Sequence, residues 1–181
     1  MKQTIWVVVA LVMLMAACQK PVEYPVEPRI SYNGFTYLFE EDSTFSGKGV
    51  ISFSYTDGDG DLGLDDSDSL PPFDASGKNY YNLIVDYQRS VNGVFQSVPM
   101  LSWNVATQSF DTIRFDARFK RLIATAEPKP ISGVMDYELF VKNPFSPDDT
   151  VRFAVKIIDR ALHESNVIET EPIYTNIQFK R

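Results

Sequence analysis

Apolar and polar residues alternate one by one through much of the chain after residue 28, and this period of two is the strongest constraint on its fold. Tyr81, Leu83, Val85 and Tyr87 share one side of such a run, as do Val151, Phe153, Val155 and Ile157. In an extended strand successive side chains point to opposite faces, so each run buries one face and wets the other. Candidate strands fall at 30–38, 48–56, 79–91, 94–103, 109–117, 134–142, 150–159 and 166–179. Asn92-Gly93 separates two of them, and a two-residue type I′ turn needs the positive φ that this dipeptide tolerates at both positions. Gly47, Pro71-Pro72, Gly77, Pro128 to Pro130 and Pro144 to Asp149 supply further turn chemistry. Phe119 to Glu127 fits either a strand or a short helix. With no internal repeat and no second linker, the pattern predicts an all-β, antiparallel two-sheet sandwich of about seven to nine strands over residues 29–181.

The N-terminus predicts processing. Lys2 precedes an apolar run from Ile5 to Ala17 that ends in Leu14-Met15-Ala16-Ala17-Cys18. A bilayer-spanning helix needs about 20 apolar residues, so this shorter run reads as a secretory signal peptide over residues 1–17. Its boundary resembles the lipobox of bacterial lipoproteins, in which the cysteine is diacylated and becomes the new N-terminus; Met15 stands where leucine is commoner. An ordinary signal with an incidental cysteine is the alternative. Residues 18–28, with prolines at 21, 25 and 28, read as a tether. In polyproline geometry, at ~3.1 Å per residue, ten such residues reach about 30 Å.

Composition narrows the chemistry. Cys18 is the only cysteine, so a lipid on it leaves none for a disulfide, a thiolate nucleophile or a zinc site. The net charge is −7, and removal of Lys2 with the signal leaves −8, a poor surface for nucleic acid. No basic amphipathic helix is evident, so membrane attachment is expected through acyl chains. His163 is the only histidine, and no nucleophile-elbow context accompanies it. No enzymatic activity is expected.

The most chemically specific stretch is Asp57-Gly58-Asp59-Gly60-Asp61-Leu62-Gly63-Leu64-Asp65-Asp66-Ser67-Asp68, with six aspartates in twelve residues. Carboxylates this dense repel one another, and an ordered loop needs a counter-charge; a hard, oxygen-seeking ion such as Ca²⁺ provides one. Counting from Asp57, the side chains of Asp59, Asp61, Asp65 and Asp68 and the Gly63 carbonyl occupy the ligand positions of a calcium loop. Leu62 replaces the glycine an EF-hand needs, and no helical pattern flanks the loop. The reading is therefore a structural calcium loop on a β framework, with a solvated, ion-free acidic loop as the alternative.

After the seventh candidate strand comes Asp159-Arg160-Ala161-Leu162-His163-Glu164-Ser165-Asn166. In an immunoglobulin-like sandwich this loop lies at the same pole as the acidic loop, so Asp159 is a further candidate ligand; a turn or capping acid is its other reading. Together the two segments resemble the DGDGDLG and D-R-A-x-x-x-S-N motifs of Bacteroidota lipoproteins with an immunoglobulin-like domain. Such proteins commonly carry Gly-Asn where this chain has Leu162-His163. The resemblance implies an outer-membrane lipoprotein anchored by Cys18; residues 19–24 lack a strong acidic export run, and the membrane face stays open. It also implies that Asp42-Ser43-Thr44, Asp68-Ser69-Leu70, Asp111-Thr112-Ile113 and Asp149-Thr150-Val151 fit a short O-glycosylation pattern.

These readings predict a non-enzymatic, lipid-anchored envelope module for binding or assembly, with calcium stiffening one pole and a protein complex or glycan as partner. A surface glycan-binding lipoprotein serving a nutrient importer, or a fimbria-like adhesin subunit, are the alternatives. The first would expose coplanar aromatics from the set Tyr80-Tyr81, Tyr87, Trp103 and Phe145, and the second an open sheet edge.

Overall fold

The structure, a computed structural model, describes residues 23–40, 45–123, 127–141 and 150–175. The signal segment, Cys18, Phe145 and residues 176–179 of the last candidate strand lie outside them. Ten strands and no helix occur among the described residues: β1 (Arg29–Phe39), β2 (Phe45–Asp57), β3 (Leu83–Val91), β4 (Val94–Ser97), β5 (Met100–Asn104), β6 (Ser109–Ile113), β7 (Ile131–Phe140), β8 (Thr150–Ile157), β9 (Ile168–Glu169) and β10 (Ile173–Tyr174). One sheet has the order β1-β2-β7 and the other β10-β8-β3-β4, with β9 also on β8; β5 and β6 make a separate ribbon. Every pairing is antiparallel. This is the expected all-β sandwich; its count reaches ten because the run 94–103 is present as β4 and β5 and the C-terminal strand as two two-residue pairings.

Alternation does the folding. Ile51 and Phe53 of β2 and Leu139 of β7 face Leu83, Val85 and Tyr87 of β3 and Val151, Phe153, Val155 and Ile157 of β8 in one core. Tyr87, Phe115 and Phe153 cluster at its centre, with ring centroids 5.5–5.7 Å apart. Burying an aromatic this size contributes about 1.5–3 kcal/mol, and truncating Phe53 or Phe153 to alanine should cost about 3–5 kcal/mol. Asn92 and Gly93 adopt φ of 53° and 80°, and Val91 pairs with Val94 across the tight turn they make.

The candidate strands that changed did so where the backbone could not pair. The run 94–103 divides at Val98-Pro99, because proline has no amide to give the ladder. The run 79–91 begins only at Leu83, Tyr80 and Tyr81 packing edge to face in the preceding loop. The run 109–117 stops at Ile113, leaving Ala117 as an isolated bridge to Leu83. Between β9 and β10, Thr170 pairs with Phe153 through both its amide and its hydroxyl before Pro172 breaks the run. Residues 119–123 are neither strand nor helix. Instead the fully buried Asn82 holds Phe119 by its side chain, accepting from the Phe119 amide at 2.7 Å and donating to its carbonyl at 3.0 Å.

Candidate metal centre

Asp57 is the last inward-pointing residue of β2, two positions beyond Tyr55 and four beyond Phe53. Strand parity therefore drives a carboxylate into the interior, where it is 0% exposed. Neither of its oxygens has a hydrogen-bond partner, and one oxygen each of Asp59 and Asp61 is likewise buried and unmatched. One carboxylate oxygen from each of the three lies within 4.8 Å of the others, so Asp57, Asp59 and Asp61 form a partly buried acidic triad that can hold a metal ion. Burial, reinforced by the charges of Asp59, Asp61 and Asp159, raises the Asp57 pKa from 3.8 to about 6. The Asp61 amide opposes this slightly without reaching hydrogen-bond geometry.

Asp159 is also buried, at 1% exposure, and its charge bears on Asp57 and Asp61. It turns its oxygens toward its own loop: the His163 amide donates to Oδ1 at 2.7 Å, and His163 Nδ1 lies 2.9 Å from Oδ2. Burial raises the Asp159 pKa while these bonds restrain it, and the same contact raises the pKa of His163. Asp61 ties the two loops together, its Oδ2 accepting from the Ala161 amide at 3.0 Å. The expected approach of the 159–166 loop to the acidic loop is thus present. Leu162 takes φ of 70°, a left-handed conformation that favours glycine.

Asp65 and Asp68 are engaged by protein cations. Asp68 accepts from the Asp65 amide at 2.7 Å and pairs with Arg160, which holds its pKa below the usual carboxylate range despite desolvation. Asp65 lies 3.5 Å from Arg121, and Asp66 pairs with Lys120 at 3.1 Å. Arg118 gathers the loop's backbone, donating to the carbonyls of Asp65, Asp68 and Tyr80 at 3.2, 2.7 and 2.9 Å. Arg118 and Arg121 escaped the sequence reading, although three basic residues within Arg118-Phe119-Lys120-Arg121 are the available signal.

Each loop glycine meets a different piece of backbone. A Cβ on Gly58 would fall 2.3 Å from the Tyr24 carbonyl oxygen, on Gly60 2.3 Å from that of Lys129, and on Gly63 2.3 Å from that of Lys120. Gly63 thus acts in the structure through close packing at φ of 96°. Leu62 and Leu64 are buried, and the Leu64 amide and Leu62 carbonyl pair with Phe119 and Leu122. An apolar residue at position 62 is needed because this loop plugs the end of the core, which an EF-hand loop does not.

Asn166 closes the pole with the same device as Asn82. It accepts from the Ile30 amide at 3.0 Å and donates to the Ile30 carbonyl at 2.9 Å, fastening β1 to the 159–166 loop. Ser165 accepts from the Ile157 amide at 3.0 Å and donates to the Asn166 carbonyl. No protein-family model matches this chain, and no curated protein matches it in sequence.

Proposed function

We propose that this protein is a lipid-anchored cell-envelope module for binding or assembly, without catalytic activity, whose acidic pole is stiffened by one structural Ca²⁺. The observation that carries the cation is Asp57, a fully buried carboxylate with both oxygens unmatched and two more carboxylates beside it. A buried anion in this state is costly unless a cation meets it. Asp57, Asp59 and Asp61 are the primary ligands, with Asp159 able to join by exchanging its bonds to His163. Calcium suits the set because it accepts many oxygen ligands in flexible geometry, whereas magnesium prefers a tight octahedron and keeps its waters. Residues 1–17 act as the signal, and Cys18 carries the lipid.

Calorimetry and thermal melts in calcium and in chelator test the cation. At ~100 times its dissociation constant, calcium should stabilise the fold by about 2.7 kcal/mol. Identical melts and no heat of binding at millimolar calcium would remove it. Cys18→Ser should release the protein from membranes or leave it unprocessed, and unchanged fractionation would remove the anchor. The glycan-binding reading is favoured by one feature, the exposed pair Trp103 and Phe110 on the β5–β6 ribbon, with centroids 5.0 Å apart. Their planes cross at 69° and so offer no coplanar platform.

A further inference from the structure

A sheet edge exposes unpaired amides and carbonyls, and proteins commonly blunt such edges with short strands, bulges, proline or lysine. Three of the edges here are blunted. The β4 edge has four residues, and β9 and β10, on the far side of β8, have two each. The β1 edge has register breaks between Tyr32 and Gly34 and between Tyr37 and Phe39, and Asn166 covers its first pair of groups at Ile30.

β7 has none of these protections. It runs ten residues without proline or lysine and pairs with β2 from Asp57 opposite Ile131 to Lys48 opposite Phe140, with no register break. Among the described residues no strand pairs with its other side. Its two faces differ. Gly133, Met135 and Tyr137 form a half-buried inner row, while Ser132, Val134, Asp136, Glu138 and Phe140 are exposed on the outer face. Lys48 already answers Glu138 at 2.8 Å and sits over the Phe140 ring. Asp136 stands beside the uncharged Ser52.

We infer that the free edge of β7 takes an added strand from another protein, an extended segment alternating apolar residues on the inner side with basic residues on the outer side. Backbone hydrogen bonds would supply the affinity and the alternating side chains the selectivity. The inner row asks for apolar neighbours to continue the core, and Asp136 asks for a cation on the outer face. A second copy of this chain fits poorly. In either same-face register that keeps most of the strand paired, Asp136 falls opposite or diagonal to its own copy, with no added cation between them. This inference names a partner class for the assembly role and does not depend on the metal ion.

The probe is a blocked ten-residue peptide alternating valine and lysine, with a valine and glutamate peptide as control, both titrated in calcium and in chelator. The lysine peptide should bind in both conditions and the glutamate peptide about tenfold more weakly or not at all. Amide hydrogen exchange should show new protection on β7, confined to the amides that face away from β2. Asp136→Lys, an exposed change that should leave the thermal midpoint within about a degree, should reverse the preference between the peptides. Equal binding of both peptides, no binding at millimolar concentration, protection elsewhere, or a β7-paired homodimer in sedimentation would overturn the inference. Loss of binding in chelator alone would overturn its independence of the ion while leaving the cation reading intact.

Discussion

Asp57 closes β2 directly opposite Ile131, the first residue of β7, so a carboxylate ends the inward row that Ile51 and Phe53 build. A hydrophobic residue there would simply extend the core. The acid instead makes the stability of this pole depend on what neutralises it, and the sign of that dependence can be tested.

Asp57→Asn separates the two states of the centre. At neutral pH in chelator the variant should be as stable as the parent or more so, by up to about 3 kcal/mol, because a desolvated charge has been removed. In saturating calcium the order should invert, the variant gaining little from the ion. Paired urea titrations with and without calcium read both arms, and a variant that is less stable than the parent by the same amount in each would point to a purely structural Asp57.

Proton linkage gives a second test. The folded-state pKa of Asp57 is raised from 3.8 to about 6, so between these values the folded protein holds a proton that the unfolded chain has released. That contribution is present at the acid end of the window and lost as pH rises through about 6. Asp61 and Asp159 are shifted the same way, and His163, also raised, adds stability that is lost with rising pH as well. In chelator, stability should therefore fall from about pH 5 to about pH 7, with Asp57 alone accounting for on the order of 1 kcal/mol of the fall. Saturating calcium should flatten or reverse the slope, since the ion competes with the proton. A chelated midpoint that rises steadily over this range would contradict the assignment.

Asn166→Ala should cost about 1–3 kcal/mol, since it leaves the Ile30 amide and carbonyl without their shared partner. Asn166→Asp keeps the acceptor and sets a second acceptor against the carbonyl, and it should recover only part of the loss. Chemical denaturation ranks the three proteins, and an alanine variant equal to the parent would show that the clamp is dispensable.

Leu162→Gly should be stabilising. Left-handed φ costs a side-chain-bearing residue about 1–2 kcal/mol, and the extra freedom glycine gives the unfolded chain takes back roughly 0.4–1 kcal/mol. The net gain is expected between about zero and 1.5 kcal/mol, visible as a rise in the thermal midpoint. A clear fall would mean that the Leu162 side chain packs to more effect than its exposure suggests.

Much of the framework was legible because alternation is a local signal: the inner faces of β3 and β8 and the Asn92-Gly93 turn follow from neighbours in sequence. The acidic loop was legible as a cluster, and its proximity to Asp159 followed from sandwich topology. Which carboxylates converge was not. Spacing alone treats Asp57, Asp65 and Asp68 alike, whereas strand parity buries Asp57 and two arginines distant in sequence, Arg121 and Arg160, pair with the carboxylates of the other two. The glycines' spacing likewise gave no hint that each makes close contact with a different backbone segment. Asn82 gave no sequence signal and Asn166 only its place at the end of the D-R-A-x-x-x-S-N stretch, because a side-chain amide standing in for a strand depends on what the fold brings opposite it.

The contact between Gly58 and the Tyr24 and Pro25 carbonyls has a mechanical side. Tyr24 and Pro25 lie against the acidic loop, so a pull on the N-terminus first peels them from it and then meets the Asn166 clamp at Ile30. Beyond that point the tension runs along β1 and is shared across its ladder with β2, where the hydrogen bonds are strained together in shear instead of parting one at a time. If the opposing force is applied through a strand on β7, it crosses the same central β2. The three-stranded sheet then serves as a strap between two attachment points, leaving the five-stranded sheet and the β5–β6 ribbon slack.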